Sequence, residues 1–126
     1  MRHNGAFAFA PAILAFLVAT GGAAPAAPAE RVFDLHIVDG KLAGGPRVVR
    51  VEQQADVRLR WTTTAPAELH LHGYDIALEL APGAMAEMAF KAHAAGRFPI
   101  HIHAPGAAAG GHHHAAPLAY LEVRPP

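Results

Sequence analysis

From Glu30 onward, apolar side chains recur at every second position, and Pro or Gly cuts the pattern at short intervals. A period of two is that of a strand with one buried and one wet face, and breaks at this spacing are those of short antiparallel strands. The pattern predicts a first strand over Val32 to Val38 and, after the turn Gly44-Gly45-Pro46, a second from Arg47 to Glu52 with Val49 and Val51 on one face. Val57, Leu59 and Trp61 then alternate with Arg58 and Arg60 along a third strand, which Pro66 ends. Glu68 to Leu80 holds a further strand or a bent pair, and Met85 to Ala92, Gly96 to His103 and Leu118 to Arg124 complete the set. Seven or eight short strands in about a hundred residues specify an all-β chain, a Greek-key β-sandwich.

The N-terminal pattern is of another kind. Arg2 precedes an apolar run from Ala6 to Ala19, followed by small residues up to Ala29, which reads as a secretory signal peptide over residues 1–29 with cleavage after Ala29 or Ala26. The run is shorter than the roughly 20 residues a bilayer requires and contains Pro11, so no membrane span is expected after cleavage. The expected location is periplasmic or secreted. Removing 29 of 126 residues leaves 97, enough for one domain with a single modest core, residues 30–126. That domain keeps nine of the ten Lys and Arg, all but Arg2, against ten Asp and Glu, so no nucleic acid is expected as a partner. With no Cys there is neither a disulfide framework nor a thiol for lipidation.

Histidine changes the picture most. Eight of the ten lie between His70 and His114, and all of these but His93 fall in three clusters, at His70 and His72, His101 and His103, and His112 to His114. Imidazole is the commonest ligand for copper, nickel and zinc, so clusters that a fold can bring to one pole read as a metal site. Residues two apart in a strand share a face. If one strand runs through to Leu80, His72 lies with Tyr74, Ile76, Leu78 and Leu80 and points with the core, while Asp75 and Glu79 form a solvated face. His70 shares the parity of His72 one step nearer the sheet end, where a solvated side chain is the plainer reading. In the later strand Phe98, Ile100 and Ile102 share one face and Pro99, His101 and His103 the other, so His101 reads as a solvated outward side chain. His103, beside the Ala-Pro-Gly turn, is preferred as a ligand because a bulge or strand end there lets it swing inward. The Ala- and Gly-rich segment from Ala104 to Pro117 can carry His112, His113 or His114 over the end of the sandwich, although a His triplet in a loop also reads as a low-specificity metal scavenger.

Other chemistry is thin. No His-Glu-x-x-His, phosphate-cradling Gly-rich loop or Gly-x-Ser-x-Gly elbow occurs. Arg47, Arg50, Arg58 and Arg60 read as polar-face residues, and Arg58 and Arg60 share a face that could meet an acidic partner. Met85 and Met88 follow the Pro82-Gly83 turn, beyond a strand that begins at His72; nine residues at roughly 3.3 Å each put them on the order of 27 Å away, too far to share an ion. Met88 and Phe90 read as core.

The strand order and these positions resemble the cupredoxins, the small copper-binding β-sandwiches of plastocyanin, azurin and the cytochrome oxidase copper domain. The features that carry the resemblance are His72-Gly-Tyr-Asp-Ile, the Ala81-Pro82-Gly83 turn, Gly96-Arg97-Phe98, a ligand loop from His103 to Pro117, and the terminal strand Leu118-Ala-Tyr-Leu-Glu-Val123. Counting from Gly96, the family's copper-ligand Cys falls on Ile102, its downstream His near His112 or His113, and its axial Met near Pro117. A thiolate gives the blue-copper site its character, so a blue-copper electron carrier is excluded. The resemblance therefore implies His72 and a loop His as ligands, with His103 as a new one. Two or three imidazoles with water favour copper(II) by affinity order, with zinc or nickel as alternatives, and binding that weakens as pH falls through about 6.5.

Three functional classes follow. The first is a metal-binding protein that buffers or delivers copper through His70, His72, His103 and the loop triplet, with a periplasmic protein of copper handling or oxidase assembly as its partner. The second is a metal-free protein-interaction module of cupredoxin-like fold. The third is a His-ligated copper oxidoreductase. Site chemistry places the first ahead of the others.

Overall fold

A computed structural model of the chain describes residues 20–26, 29–106 and 116–126. Most of the expected signal peptide, and the triplet His112, His113 and His114, lie outside the described residues. Among the described residues, no helix is long and apolar enough to cross a membrane.

Nine strands form: β1 (Arg31–Val38), β2 (Lys41–Gly44), β3 (Val48–Glu52), β4 (Asp56–Thr63), β5 (Ala67–Leu71), β6 (Ile76–Leu80), β7 (Ala86–Lys91), β8 (Gly96–His103) and β9 (Ala119–Arg124). They make a four-stranded sheet in the order β2-β1-β4-β7 and a five-stranded sheet in the order β3-β9-β8-β5-β6. The pairs β1 with β4 and β3 with β9 are parallel, and the remaining ladders are antiparallel. The expected β-sandwich is therefore present, with more strands than the seven or eight predicted. Two causes account for the surplus. β2 has only four residues, with Leu42 its one large apolar side chain, too short for alternation to register. The bent pair over Glu68 to Leu80 resolves into two strands joined by a turn at residues 72–75.

That turn positions the candidate site. Gly73 and Asp75 both have positive φ, 87° and 56°, a conformation that glycine adopts freely and Asp tolerates. A Cβ at Gly73 would collide with the ring of Phe98. Behind the turn, Tyr74 packs edge-on against Phe98 with ring centroids 4.9 Å apart, and its hydroxyl donates to the carbonyl of Ala94 at 2.9 Å.

The core lies between the two sheets and follows the alternation: Leu35, Leu59, Trp61, Leu69, Ile100 and Leu121 are buried. Met88 is core as expected, whereas Met85 is exposed. On the outer face of the four-stranded sheet the arginines are held by the sheet's own carboxylates. Arg60 donates from Nε and a terminal nitrogen to the two oxygens of Asp34 at 2.6 and 2.8 Å, and Arg58 bridges Glu30 and Glu87. The hydrogen bond from Arg60 holds the Asp34 carboxyl below its usual range. The face that was expected to offer Arg58 and Arg60 to an acidic partner is thus already charge-paired.

Candidate metal centre

The histidines are placed by two strands of the five-stranded sheet. In β5, Leu69 and Leu71 are fully buried, so Glu68 and His70 project from the outer face. His72 opens the turn, and its backbone N–H donates to the carbonyl of Pro99 at 3.1 Å, so the contact with β8 extends one residue past β5. In β8, Ile100 is buried, which turns Pro99, His101 and His103 outward. Antiparallel register sets His70 directly opposite His101, and Glu68 directly opposite His103.

Four imidazoles therefore gather on one outer face. The ring centroids of His70 and His72 are 4.5 Å apart, those of His72 and His101 4.9 Å, and those of His101 and His103 6.3 Å. His72, in the turn just after β5, meets the ring of His70 on β5 and that of His101 on β8. Its expected orientation toward the core is corrected: the turn breaks the parity between His72 and Ile76, and the residue is exposed. His101, read from sequence as a solvated side chain, is half-buried between His72 and His103. The ladder stays regular through His103, so no bulge turns that residue inward.

Ile102, at the position of the family's Cys, borders a cavity of about 220 Å³ with Thr63, Pro66, Ala67 and His103. Among the described residues lining that cavity, His103 is the one imidazole. His70 and His72 are elsewhere, and the histidines that the strands bring together lie on a sheet face.

Proximity has an electrostatic consequence. The pKa of His72 is lowered, first by lost hydration where neighbouring rings crowd an otherwise exposed residue, then by the charges of His70 and His103, with Asp75 acting in the opposite direction. That of His101 is lowered by burial first, then by His72, His103 and His70. Both rings are therefore neutral at neutral pH, the state in which imidazole ligates a metal. The same shifts predict how the metal-free chain responds to acid. Just below the ordinary imidazole pKa of about 6.5, the unfolded chain binds more protons than the folded one. Stability accordingly rises with pH through that window, and is lost as pH falls through it toward the folded-state pKa values of His72 and His101. In a proton NMR titration, His72 and His101 should titrate below the ordinary range, and His72→Gln should raise His101 by removing a neighbouring charge. Ordinary midpoints that are indifferent to the substitution would contradict the coupling.

The ring spacings suit a shared ion. With metal–nitrogen bonds of about 2.0–2.1 Å, two imidazoles on one ion at bond angles near 90–110° have centroids roughly 4.5–5.2 Å apart. The His70–His72 and His72–His101 separations, 4.5 and 4.9 Å, fall in this range. As the rings stand, no group of three His, Asp or Glu side chains among the described residues is arranged to hold a metal ion. Convergence requires rotation of rings about χ2, a broad, roughly two-fold torsion.

Comparison with known proteins supplies the class. No protein-family profile and no curated protein sequence matches the chain. Among solved structures, it is similar to a heme-copper terminal oxidase, with TM-score 0.57 and 18% identity, over 75% of this chain and 65% of the oxidase chain. The periplasmic domain of subunit II of cytochrome oxidase (CoxB) of Bradyrhizobium japonicum gives TM-score 0.55 and 14% identity over 75% of this chain and 84% of that one. A copper binding protein solved in the apo form gives 0.53 and 13% over 81% and 93%. The chain thus spans a little less than two thirds of the oxidase chain it matches. At identities this low the likeness defines architecture, and the fold is cupredoxin-like.

Proposed function

We propose that this chain is a periplasmic or secreted metal-binding protein that buffers or delivers copper(II) through histidines on the outer face of its five-stranded sheet. The observation that carries this reading is the register of two His-x-His combs, His70 and His72 against His101 and His103, which gathers four imidazoles where an ordinary sheet face carries Thr, Lys or Glu. His70, His72 and His101 are the ligands by spacing, His103 flanks them, and His112 to His114 offer further imidazoles from the loop that follows β8. The ion is cargo. Without a thiolate the ligand set is nitrogen and water, which selects copper(II) by affinity order, with zinc or nickel next. The solved structures of similar fold include a copper binding protein and a periplasmic oxidase domain, which supports a copper-handling role in the same compartment, with a protein of copper handling or oxidase assembly as recipient.

One feature favours a second reading, a metal-free interaction module: Ile102, an apolar side chain, stands where the resemblance puts the family's copper-ligand Cys. Electron paramagnetic resonance of the full chain with one equivalent of copper(II) separates the two. The metal-binding reading expects a non-blue copper(II) spectrum with nitrogen superhyperfine splitting that persists when His112 to His114 are all replaced by Ala. Loss of all bound copper in that triple variant would leave only a loop tract and give the interaction module precedence.

A further inference from the structure

Past the histidines, the outer face of the five-stranded sheet continues into a group of arginines. Glu122 on β9 has Arg50 on β3 directly across one ladder and Arg97 on β8 directly across the other, with Arg124 one same-face step along β9. Val49, Val51, Leu121 and Val123 are buried, so the residues alternating with them project outward. Three guanidinium groups therefore surround one carboxylate. Glu52 lies opposite Arg124 on the edge strand without pairing with it.

The contacts leave most of that charge open. Arg50 and Arg124 both donate from Nε to the same oxygen, Oε1 of Glu122, at 3.2 and 3.3 Å, and their side chains are 56% and 61% exposed. Their terminal N–H groups have no acceptor among the described residues. Arg97 does not join the pair although Glu122 is directly across from it: its guanidinium lies over the ring of Tyr120, 4.2 Å from the centroid. It has no ion pair among the described residues, which include all ten Asp and Glu of the chain. The four-stranded sheet is the contrast. There Arg60 engages both oxygens of Asp34 and Arg58 is shared by Glu30 and Glu87, so two arginines meet three carboxylates.

We infer that this arginine group is a docking surface for an acidic protein, whose carboxylates seat on the open forks of Arg50, Arg97 and Arg124. The planar guanidinium fork matches a carboxylate with two parallel hydrogen bonds. Stacking on Tyr120 fixes the plane of Arg97 in advance and leaves its in-plane N–H donors for the partner. An anionic membrane fits less well. Lipid-binding basic clusters run to about 4–8 Lys and Arg, and the large exposed apolar side chains, Val32 and Met85, belong to the side of the four-stranded sheet. The position also suits the function proposed above. Pro99 stands between Arg97 and His101 on one face of β8, and its carbonyl accepts the backbone N–H of His72. Four residues at roughly 3.3 Å each put Arg97 on the order of 13 Å from His101, within the footprint of one protein partner. The use of this surface in copper transfer rests on the metal-binding reading; the docking itself does not.

The test titrates the metal-free full chain, labelled with nitrogen-15, at low ionic strength with a synthetic decaglutamate peptide, with phosphatidylcholine–phosphatidylglycerol vesicles, and with inorganic phosphate. The parent is compared with R97Q/R124Q and with R58Q/R60Q. Each variant loses two positive charges, so an effect of net charge alone moves both equally. The expected result is peptide-induced shifts at the amides of Arg97, Tyr120 and Glu122, with affinity at least tenfold weaker in R97Q/R124Q and within twofold of the parent in R58Q/R60Q. Equal losses in the two variants, or shifts confined to the four-stranded sheet, overturn the docking surface. Vesicles that bind through Arg97 and Arg124 where the peptide does not overturn it in favour of a membrane, and phosphate that reproduces the peptide shifts at equal concentration reduces it to a simple anion site. A separate copper(II) titration of R97Q/R124Q should match the parent. A chain that binds the peptide but no copper would defeat the metal-binding reading and leave the docking surface standing.

Discussion

Replacing His72 by Ala lowers the affinity of the chain for copper(II) by about a hundredfold or more, and His101→Ala does nearly the same. Loss of a side chain that merely orients a metal ligand costs about 10–100-fold, so loss of a ligand costs at least the upper end of that range. His72 is the residue whose removal matters most, because its ring, carried by the turn after β5, is the one that meets both His70 on β5 and His101 on β8. Without it, the remaining rings are a cross-strand pair and His103, with no central member. A control is built into the fold. His36 lies on the other sheet, its Nδ1 2.7 Å from the hydroxyl of Thr62, and His36→Ala should leave copper binding unchanged. Competition titrations against a chelator of known affinity measure all three variants. Equal affinities for His72→Ala and His36→Ala would remove the sheet-face site from the account.

The largest expected effect on stability comes from Trp61→Ala. Trp61 is the largest fully buried side chain, in β4 between β1 and β7, with no exposed surface. Truncating a buried aromatic to Ala costs about 3–5 kcal/mol through lost transfer energy and the cavity left behind. For a domain of this size that lowers the thermal midpoint by roughly 12–40 °C, at about 4–8 °C per kcal/mol. With no Cys in the chain, no disulfide offsets the loss. Trp61→Phe should be milder by more than its volume suggests. The indole N–H of Trp61 has no acceptor among the described residues, and replacing it removes a buried donor that is unfavourable to leave unpaired. Thermal melts followed by circular dichroism measure both. A Trp61→Ala midpoint within a few degrees of the parent would mean that the sandwich is not packed around this residue.

Much of the fold was legible because a two-sided sandwich writes its inward face into the chain. Val57, Leu59 and Trp61 alternate with Arg58 and Arg60, and the structure buries the first set and ion-pairs the second. β2 escaped notice because a four-residue edge strand has too few positions to alternate. The site was less legible, for a reason that lies in one turn. Carrying parity from Leu80 back to His72 assumed an unbroken strand, but Gly73 and Asp75 take positive φ and reset it. Read from the other direction, Leu69 and Leu71 place both His70 and His72 outward without further information. Phe98, Ile100 and Ile102 likewise placed His101 and His103 outward, which looked like evidence against a site while the site was sought at a pole. What the sequence could not show was that β5 and β8 are neighbours, in a register that sets His70 against His101. Two combs that each look solvated alone become a cluster when paired.

The most direct test of the central claim is a crystal structure of the copper-soaked chain with anomalous data collected on both sides of the copper absorption edge. The account predicts an anomalous peak on the outer face of the five-stranded sheet, about 2 Å from imidazole nitrogens of His72 and His101. A peak at the pole beside Ile102, or one held by the loop histidines alone, would contradict it.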